Sequence, residues 1–379
     1  MTLLLFLVGG FFIGAVAWGN TLLLTIFSLL LWVGYFAIDR RLSFWLVALG
    51  YYLGASRGLF YGTAVYYEDY VYAGLIYIGA ALITSFAWII FWSDEPKKKI
   101  LFFFLVQLLL LISPVALISW ANPLQVAGLL FPSTGFFGLV LMVLVAIGFY
   151  VFHLKKITNT PMILMLFLLV ATTDQKPIQI KSIESVISNF NYDNETNAML
   201  DYQRQVGFLN MANKSKKDTL LFSENALGIV TKANEMIWST LKEGKNVLAG
   251  GYLLSHDSNK SNNALFHITN KTMQPIYTQR IPVPIAMWKP WSNKGTQAHL
   301  DIFSNPMINI DGKKAGVLIC YEQLIAPTYL HTFAYNPKML LATSNLWWAK
   351  DTSIGEIQKE KVQLWALLFD VPYGFAYNF

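Results

Sequence analysis

A single cysteine, Cys320, closes the apolar run 315–319 in "AGVLICYEQLI" and is followed at once by Tyr321 and Glu322. A lone thiol can be a small hydrophobe filling a core gap. It can also be a nucleophile, but only as a thiolate, which requires a base or a positive neighbour. Glu224, near the end of "DTLLFSENAL" (218–227), is placed to take the proton, and the oxyanion formed by thiolate attack on a carbonyl needs a fixed donor. "YTQRIPVP" (277–284) offers Arg280 just before a loop with two prolines. Each group has a plainer reading as well. Glu224 could be an acidic residue at a helix start, favoured by the dipole, and Arg280 could be half of a surface ion pair.

Strand-like elements must bring these residues together. "DTLLFSENAL", "KNVLAGGYL" (245–253), "NNALFHIT" (262–269), "KKAGVLICYE" (313–322) and "KMLLATSN" (338–345) are apolar runs ending in polar residues. Helical patterns alternate with them at "LGIVTKANEMIWSTLKEG" (227–244) and "IGEIQKEKVQLWALLFD" (354–370). Alternating strand and helix predicts a layered α/β domain. Chemistry in such domains gathers where strands end, and Glu224, Cys320 and Asn345 all fall at such ends.

The chain before residue 173 is of another kind. Residues 2–18, 21–38, 44–66, 70–92, 100–120 and 125–152 are long apolar runs, each near the ~20 residues that span a hydrocarbon core. A seventh, "PMILMLFLLVAT" (161–172), is short and reads either as a span completed by its flanks or as a buried or interfacial helix. The first run lacks a basic leader and is followed directly by the second, so it reads as a retained helix. Over the 379 residues, 55% are hydrophobic and only 13% charged, well under the ~25% charged fraction of soluble domains. The expectation is a multi-span α-helical membrane domain of six to seven helices (1–172), then an α/β domain from Thr173 to Phe379.

Basic residues set the orientation. Arg40-Arg41, Lys97–Lys99 and Lys155-Lys156 mark every second loop, whereas Gly19-Asn20, "YYEDY" (66–70) and "SWANP" (119–123) carry none. By the positive-inside rule the marked loops are cytoplasmic. Counting seven spans then places the second domain in the periplasm of a bacterial inner-membrane, multi-pass protein. Arg57 sits inside the third run, facing a cavity or partner, or snorkelling to the interface where the helix breaks.

The net charge of +6 is not a nucleic-acid footprint, because no basic helix face and no aromatic-basic alternation accompanies it. One cysteine excludes an intrachain disulfide and a cysteine zinc site. The five histidines include no pair at metal-ligand spacing, so neither metal nor cofactor is expected.

At these residues the chain resembles the nitrilase superfamily of carbon-nitrogen hydrolases. "LLFSENALG" is similar to its glutamate-bearing strand end, "GVLICYE" to its nucleophile strand, and "SNLWW" (344–348) to the segment that follows. The layout resembles apolipoprotein N-acyltransferases, and "NPLQVAGLLFPSTGFFGLV" (122–140) resembles their last long spans. "RIPVPIAMWKPW" (280–291) and "LWWAKDTS" (346–353) are similar to a narrower group, the TraB-type proteins of bacterial conjugal transfer.

This resemblance implies an αββα sandwich and a Glu–Lys–Cys triad. Glu224 would be general base and Cys320 would carry a thioester, with Tyr321, Glu322, Asn345 and Trp348 lining the substrate pocket. The lysine is where the chain departs: five residues before Pro284 stands Gln279, with Arg280 beside it, and the glutamate of the following loop falls on Met287. Arginine can hold an oxyanion but cannot share a proton near neutral pH. Gln279 can only hydrogen-bond. The family continues beyond "YGFAYN" with further strands, so the resemblance implies either a sequence truncated at Phe379 or a sandwich incomplete at one edge.

Two functions follow from the resemblance. One is an acyltransferase or amidase acting on a membrane lipid or a lipid-attached, lipoprotein or pilin-like substrate. The other is an inactive assembly factor binding other proteins of a conjugation apparatus.

Overall fold

The computed structural model describes residues 2–19, 21–172, 176–190, 197–254, 261–291 and 298–379. Asn20, and the compositional boundary at Thr173, lie outside them. The chain forms two compact units: a helical one (1–177, 324–327 and 351–370) and an α/β one (178–323, 328–350 and 371–379).

In the helical unit the six longer apolar runs form helices shorter than the runs themselves, and the seventh forms helix Thr160–Thr172. Tyr70–Ile90 and Phe136–Leu154 are long and apolar enough to cross a membrane, and two-thirds or more of each span's residues are not buried within the protein. The stretches Leu3–Ala17, Leu22–Ala37 and Thr160–Val170 are apolar but shorter. The run 44–66 is two helices, Arg41–Ala55 and Arg57–Tyr67, separated at Ser56. At this break the Arg57 guanidinium donates to the carbonyls of Trp18 and Gly54 at 2.9 and 3.2 Å. The charge inside the third run is thereby engaged with backbone freed at helix ends.

Helices Thr2–Ala17 and Arg41–Ala55 pack backbone to backbone. Gly10 and Gly14 of the first face Val47 and Tyr51, while Gly50 and Gly54 of the second face Leu7 and Phe11. A Cβ at any of the four would collide with a main-chain carbonyl oxygen. Paired small-xxx-small stripes of this kind let helices approach closely where the surroundings offer no hydrophobic drive.

The amphipathic pattern at 354–370 is helix Ile354–Phe369, which belongs to the helical unit. Its Lys361 is fully buried. The Lys361 ammonium donates to the carbonyls of Trp120 and Leu324 (2.8 Å to the latter) and lies 4.8 and 5.0 Å from the ring centres of Trp18 and Trp120. Backbone acceptors and two indole faces together offset part of the cost of burying a cation. The adjacent Glu360 is 4% exposed, and neither carboxylate oxygen meets a donor among the described residues.

The α/β unit holds ten strands among the described residues, β1 (Ile183–Ser185), β2 (Ile187–Ser188), β3 (Thr219–Leu221), β4 (Asn246–Leu254), β5 (Ser261–Ile268), β6 (Met273–Thr278), β7 (Met307–Ile310), β8 (Lys313–Ile319), β9 (Met339–Asn345) and β10 (Tyr373–Asn378). They make two sheets of order β1-β3-β4-β5-β6 and β2-β10-β9-β8-β7. The strands β1, β3 and β4 run parallel, as do β2, β10, β9 and β8; β5, β6 and β7 join antiparallel.

The sheets pack face to face. Leu221, Leu248 and Leu265 from one and Val317, Ile319 and Leu341 from the other share a single buried cluster. The outer face of the first sheet is covered by helix Ala198–Lys214, through Phe208, Leu209 and Ala212, and by Trp238 of helix Lys232–Trp238. On the second sheet, Gly316 of β8 lies against Thr332 of helix Ala326–Ala334. The layers are therefore α, β, β, α. Parallel strands, apolar on both faces, need such double cover.

Candidate active site

β3 is shorter than its sequence pattern because the chain turns away after Leu221, and Asn225 and Gly228 adopt left-handed backbone conformations at φ 63° and 61°. This turn carries Glu224. It lies so close to β4 that a Cβ on Gly250 would sit 2.6 Å from the Glu224 Cα. Only glycine fits there without displacing the carboxylate.

Cys320 follows the last residue of β8 at φ 51°, in the left-handed region. For a non-glycine residue this conformation persists only when the surroundings impose it. Two buried side chains do so. Glu322 turns back and accepts the Ile319 N–H at 2.8 Å. Gln323 donates to the carbonyls of Leu318 (3.2 Å) and Thr343 (2.8 Å), while its own carbonyl accepts from Ser344 (3.1 Å). The thiol is thus presented on a sharp turn braced against β8 and β9.

Glu224 and Cys320 are 5% and 6% exposed and hydrogen-bond each other. Burial pushes the thiol well above its ordinary range, and the neighbouring carboxylate, which also accepts the thiol proton, pushes it further; the backbone N–H groups of Tyr321 and Asn345 act in the opposite sense. Burial and the neighbouring carboxylate thus both favour the neutral thiol. Two main-chain donors face the sulfur and favour its thiolate form.

The carboxylate is held at both oxygens. Asn345 donates its backbone N–H to Oε2 at 2.8 Å, and Asn263 of β5 donates Nδ2 to Oε1. Asn263 also donates to Gln279 Oε1 at 3.2 Å, and Gln279 donates in turn to the carbonyls of Ile281 (3.3 Å) and Ile319 (3.1 Å). Gln279, where a lysine was expected from the resemblance, therefore connects to Glu224 through a chain of neutral amides.

Arg280 lies elsewhere. It is 1% exposed, so the surface-pair expectation does not hold. Its guanidinium donates to Tyr277 Oη (2.8 Å) and Thr332 Oγ1 (3.1 Å), meets His331 Nδ1 at 2.9 Å, and lies 3.4 Å from Glu322 Oε1. The expected oxyanion role finds no support in this geometry. Adjacent residues on an extended segment leave toward opposite sides, and Gln279 is the one that stays with Asn263.

Glu322 is likewise a strut rather than a pocket wall. It is fully buried and accepts from Tyr277 Oη and from the backbone N–H groups of Ile319, Arg280 (2.7 Å) and Ile281 (3.3 Å). Tyr321 contributes its N–H to the sulfur, and Trp348 donates Nε1 to the Asn345 carbonyl at 3.2 Å. The sequence reading missed Asn263, Tyr277, Gln323 and Thr332. Only the Asn262-Asn263 pair near the start of a largely apolar strand could have signalled the first.

The chain thus presents a thiol and a carboxylate on strand-end turns of an αββα sandwich, and residues 251–367 match the carbon-nitrogen hydrolase family model. Over 97% of its length the chain is similar to the conjugal transfer protein TraB of Agrobacterium fabrum, 28% identical over 392 residues and 90% of that protein. It is equally similar to the probable conjugal transfer protein TraB of Sinorhizobium fredii, 28% over 388 residues and 95% of that protein. Among solved structures, an amidase from Nesterenkonia sp. AN1 aligns over 54% of this chain and 78% of its own, with 12% identity and a TM-score of 0.37.

Proposed function

We propose that this chain is a cysteine-dependent acyltransferase or amidase of conjugal transfer, embedded in the bacterial inner membrane, with its α/β unit in the periplasm. The observation that carries the reading is the hydrogen-bonded Glu224–Cys320 pair with two backbone N–H groups on the sulfur. Glu224 takes the thiol proton as Sγ attacks a carbonyl carbon. The Tyr321 N–H, beside the sulfur, is the main-chain donor proposed for the charge that forms on the carbonyl oxygen, the Asn345 N–H being held by Glu224. Collapse expels the leaving group, which takes the proton back from Glu224, and an amine or water then releases the acyl group.

The membrane setting is supported by the exposed apolar surface of the two long helices, the close glycine-to-backbone packing and the basic marking of alternate loops. A core helix of a soluble protein would be mostly buried. A lipid or a lipid-attached protein, such as a lipoprotein or pilin, is the substrate class this setting favours, and similarity to conjugal transfer proteins favours partners from that apparatus.

A second reading, an inactive assembly factor, is favoured by one observation: a neutral glutamine occupies the lysine-aligned position. Intact-mass analysis after incubation with p-nitrophenyl acetate separates the two. The enzyme reading expects one acetyl group on wild type and none on Cys320→Ala. An unmodified wild type would leave the assembly factor as the reading.

A further inference from the structure

Asn263 is buried between Glu224 and Gln279. Its Nδ2 donates to Glu224 Oε1 and Gln279 Oε1, so both amide hydrogens are engaged. Its Oδ1 meets no donor among the described residues and is closed to solvent, on a residue 4% exposed. Turning the amide over would set Oδ1 against two acceptor oxygens, so the network fixes its orientation. An unmet acceptor in a buried site is a standing cost, relieved when a ligand brings a hydrogen.

Glu224 identifies what that ligand group must be. Having taken the thiol proton, it can return it only to an atom that comes up to its carboxylate. Asn263 Oδ1 belongs to the carboxamide whose Nδ2 holds one of those oxygens. We infer that Asn263 Oδ1 accepts an N–H from the nitrogen leaving the acyl group, so that the site selects donors whose leaving nitrogen carries a hydrogen. This rests on the acyl-enzyme reading above. In the step, the Sγ–C bond forms and the C–N bond breaks. The thiol proton passes through Glu224 to the nitrogen lone pair, while a hydrogen already on that nitrogen bonds Asn263. Tertiary amides and esters bring no such hydrogen.

The test uses the full chain in detergent with acetamide, N,N-dimethylacetamide and p-nitrophenyl acetate, and reads kcat/KM for release of ammonia, dimethylamine and nitrophenol. Both amides need the proton from Glu224, so their ratio isolates the N–H. Asn263→Leu keeps the side-chain volume, and Asn263→Ala serves as a second variant. Each ratio is read within one preparation, so the folded fraction cancels. The preference for acetamide over its dimethyl analogue should fall by about tenfold or more in both variants, the expected cost of one hydrogen bond in a buried site. An unchanged ratio with all donors slowed alike would show that Asn263 only holds Glu224, overturning the inference. Cys320-dependent nitrophenol release without cleavage of either amide overturns it too, while leaving the acyl-enzyme reading standing. Release from no donor ends both.

Discussion

The Asn345 backbone N–H lies 2.8 Å from Glu224 Oε2, joining the end of β9 to the turn after β3, 121 residues away in sequence. The same N–H group acts on the Cys320 sulfur. A single main-chain donor at a strand end thus serves both members of the reacting pair. Glu224→Gln keeps the side-chain shape and removes the base, so acetylation of Cys320 should slow by about two orders of magnitude or more. Labelling at the wild-type rate, timed by intact mass, would remove Glu224 from the mechanism.

The raised thiol predicts a particular pH profile. Alkylation of Cys320 by iodoacetamide should keep climbing above pH 9, whereas an ordinary thiol near 9.0 levels off. The linkage has the same sign: the unfolded thiol ionises first, so the stability this group contributes at neutral pH is lost as pH rises through its folded pKa. Gln279→Lys sets a cation within reach of Glu224 through Asn263 and should move the alkylation curve to lower pH. An unmoved curve would place the lysine side chain outside the pair's field.

Arg280 and Glu322 are 1% and 0% exposed, and each is the other's charge partner. Arg280→Ala leaves a buried carboxylate uncompensated and should cost about 3–5 kcal/mol of stability, read by thermal or denaturant unfolding. Arg280→Lys cannot reproduce three separate donations and should recover only part of that. The pair Arg280→Met with Glu322→Gln should be less damaging than Arg280→Ala alone. A stable, slow Arg280→Ala enzyme would instead return Arg280 to the chemistry.

Glu360 gives a second pH signature. Burial, and then Glu356, raise its carboxyl from 4.5 to about 8, against the pull of Lys361 and Arg57. Between those values the folded state keeps a proton the unfolded state has lost, so stability present below pH 4.5 falls as pH rises through 8. Glu360→Gln should therefore melt above wild type at pH 8 to 9, with the difference shrinking toward zero near pH 5. A constant difference across that range would mean the group does not titrate there.

Orientation is tested at the chain terminus. Arg40-Arg41, Lys97–Lys99 and Lys155-Lys156 mark the loops expected on the cytoplasmic side. A fluorescent protein that matures only in the cytoplasm, fused after Phe379, should stay dark. Fluorescence would mean that helix Thr160–Thr172 does not cross.

Much of the α/β fold was legible because strands buried on both faces are near-continuous apolar runs. The runs that end at Glu224, Cys320 and Asn345 became β3, β8 and β9 or the turns after them. The strands β1, β2, β6, β7 and β10 were not read. The first two are very short, and β6 includes Gln274 and Pro275 at its rim. Helix Ala198–Lys214 was missed because its mean hydropathy is close to neutral. At the site, charge was a poor guide. Arg280 was singled out as the nearest cation, but the structure satisfies that cation with Tyr277, Glu322 and Thr332, partners brought together only by tertiary packing. Asn263 carries no charge and no motif, and its only mark in the sequence is the paired asparagine beside it.

The separation of Gln279 from Arg280 constrains how this site could acquire a positive charge. Moving the arginine one place along, by losing the codon for Gln279, would strip Glu322 of its partner and unseat the Cys320 turn in the same event. Substitution at Gln279 itself disturbs only Asn263 and two main-chain carbonyls. Either glutamine codon becomes a lysine codon by one base change, from CAA or CAG to AAA or AAG. A lineage under selection for a cation here has a one-mutation path through Gln279 and none through its neighbour, so natural variants with lysine at this position are the ones in which to seek altered turnover.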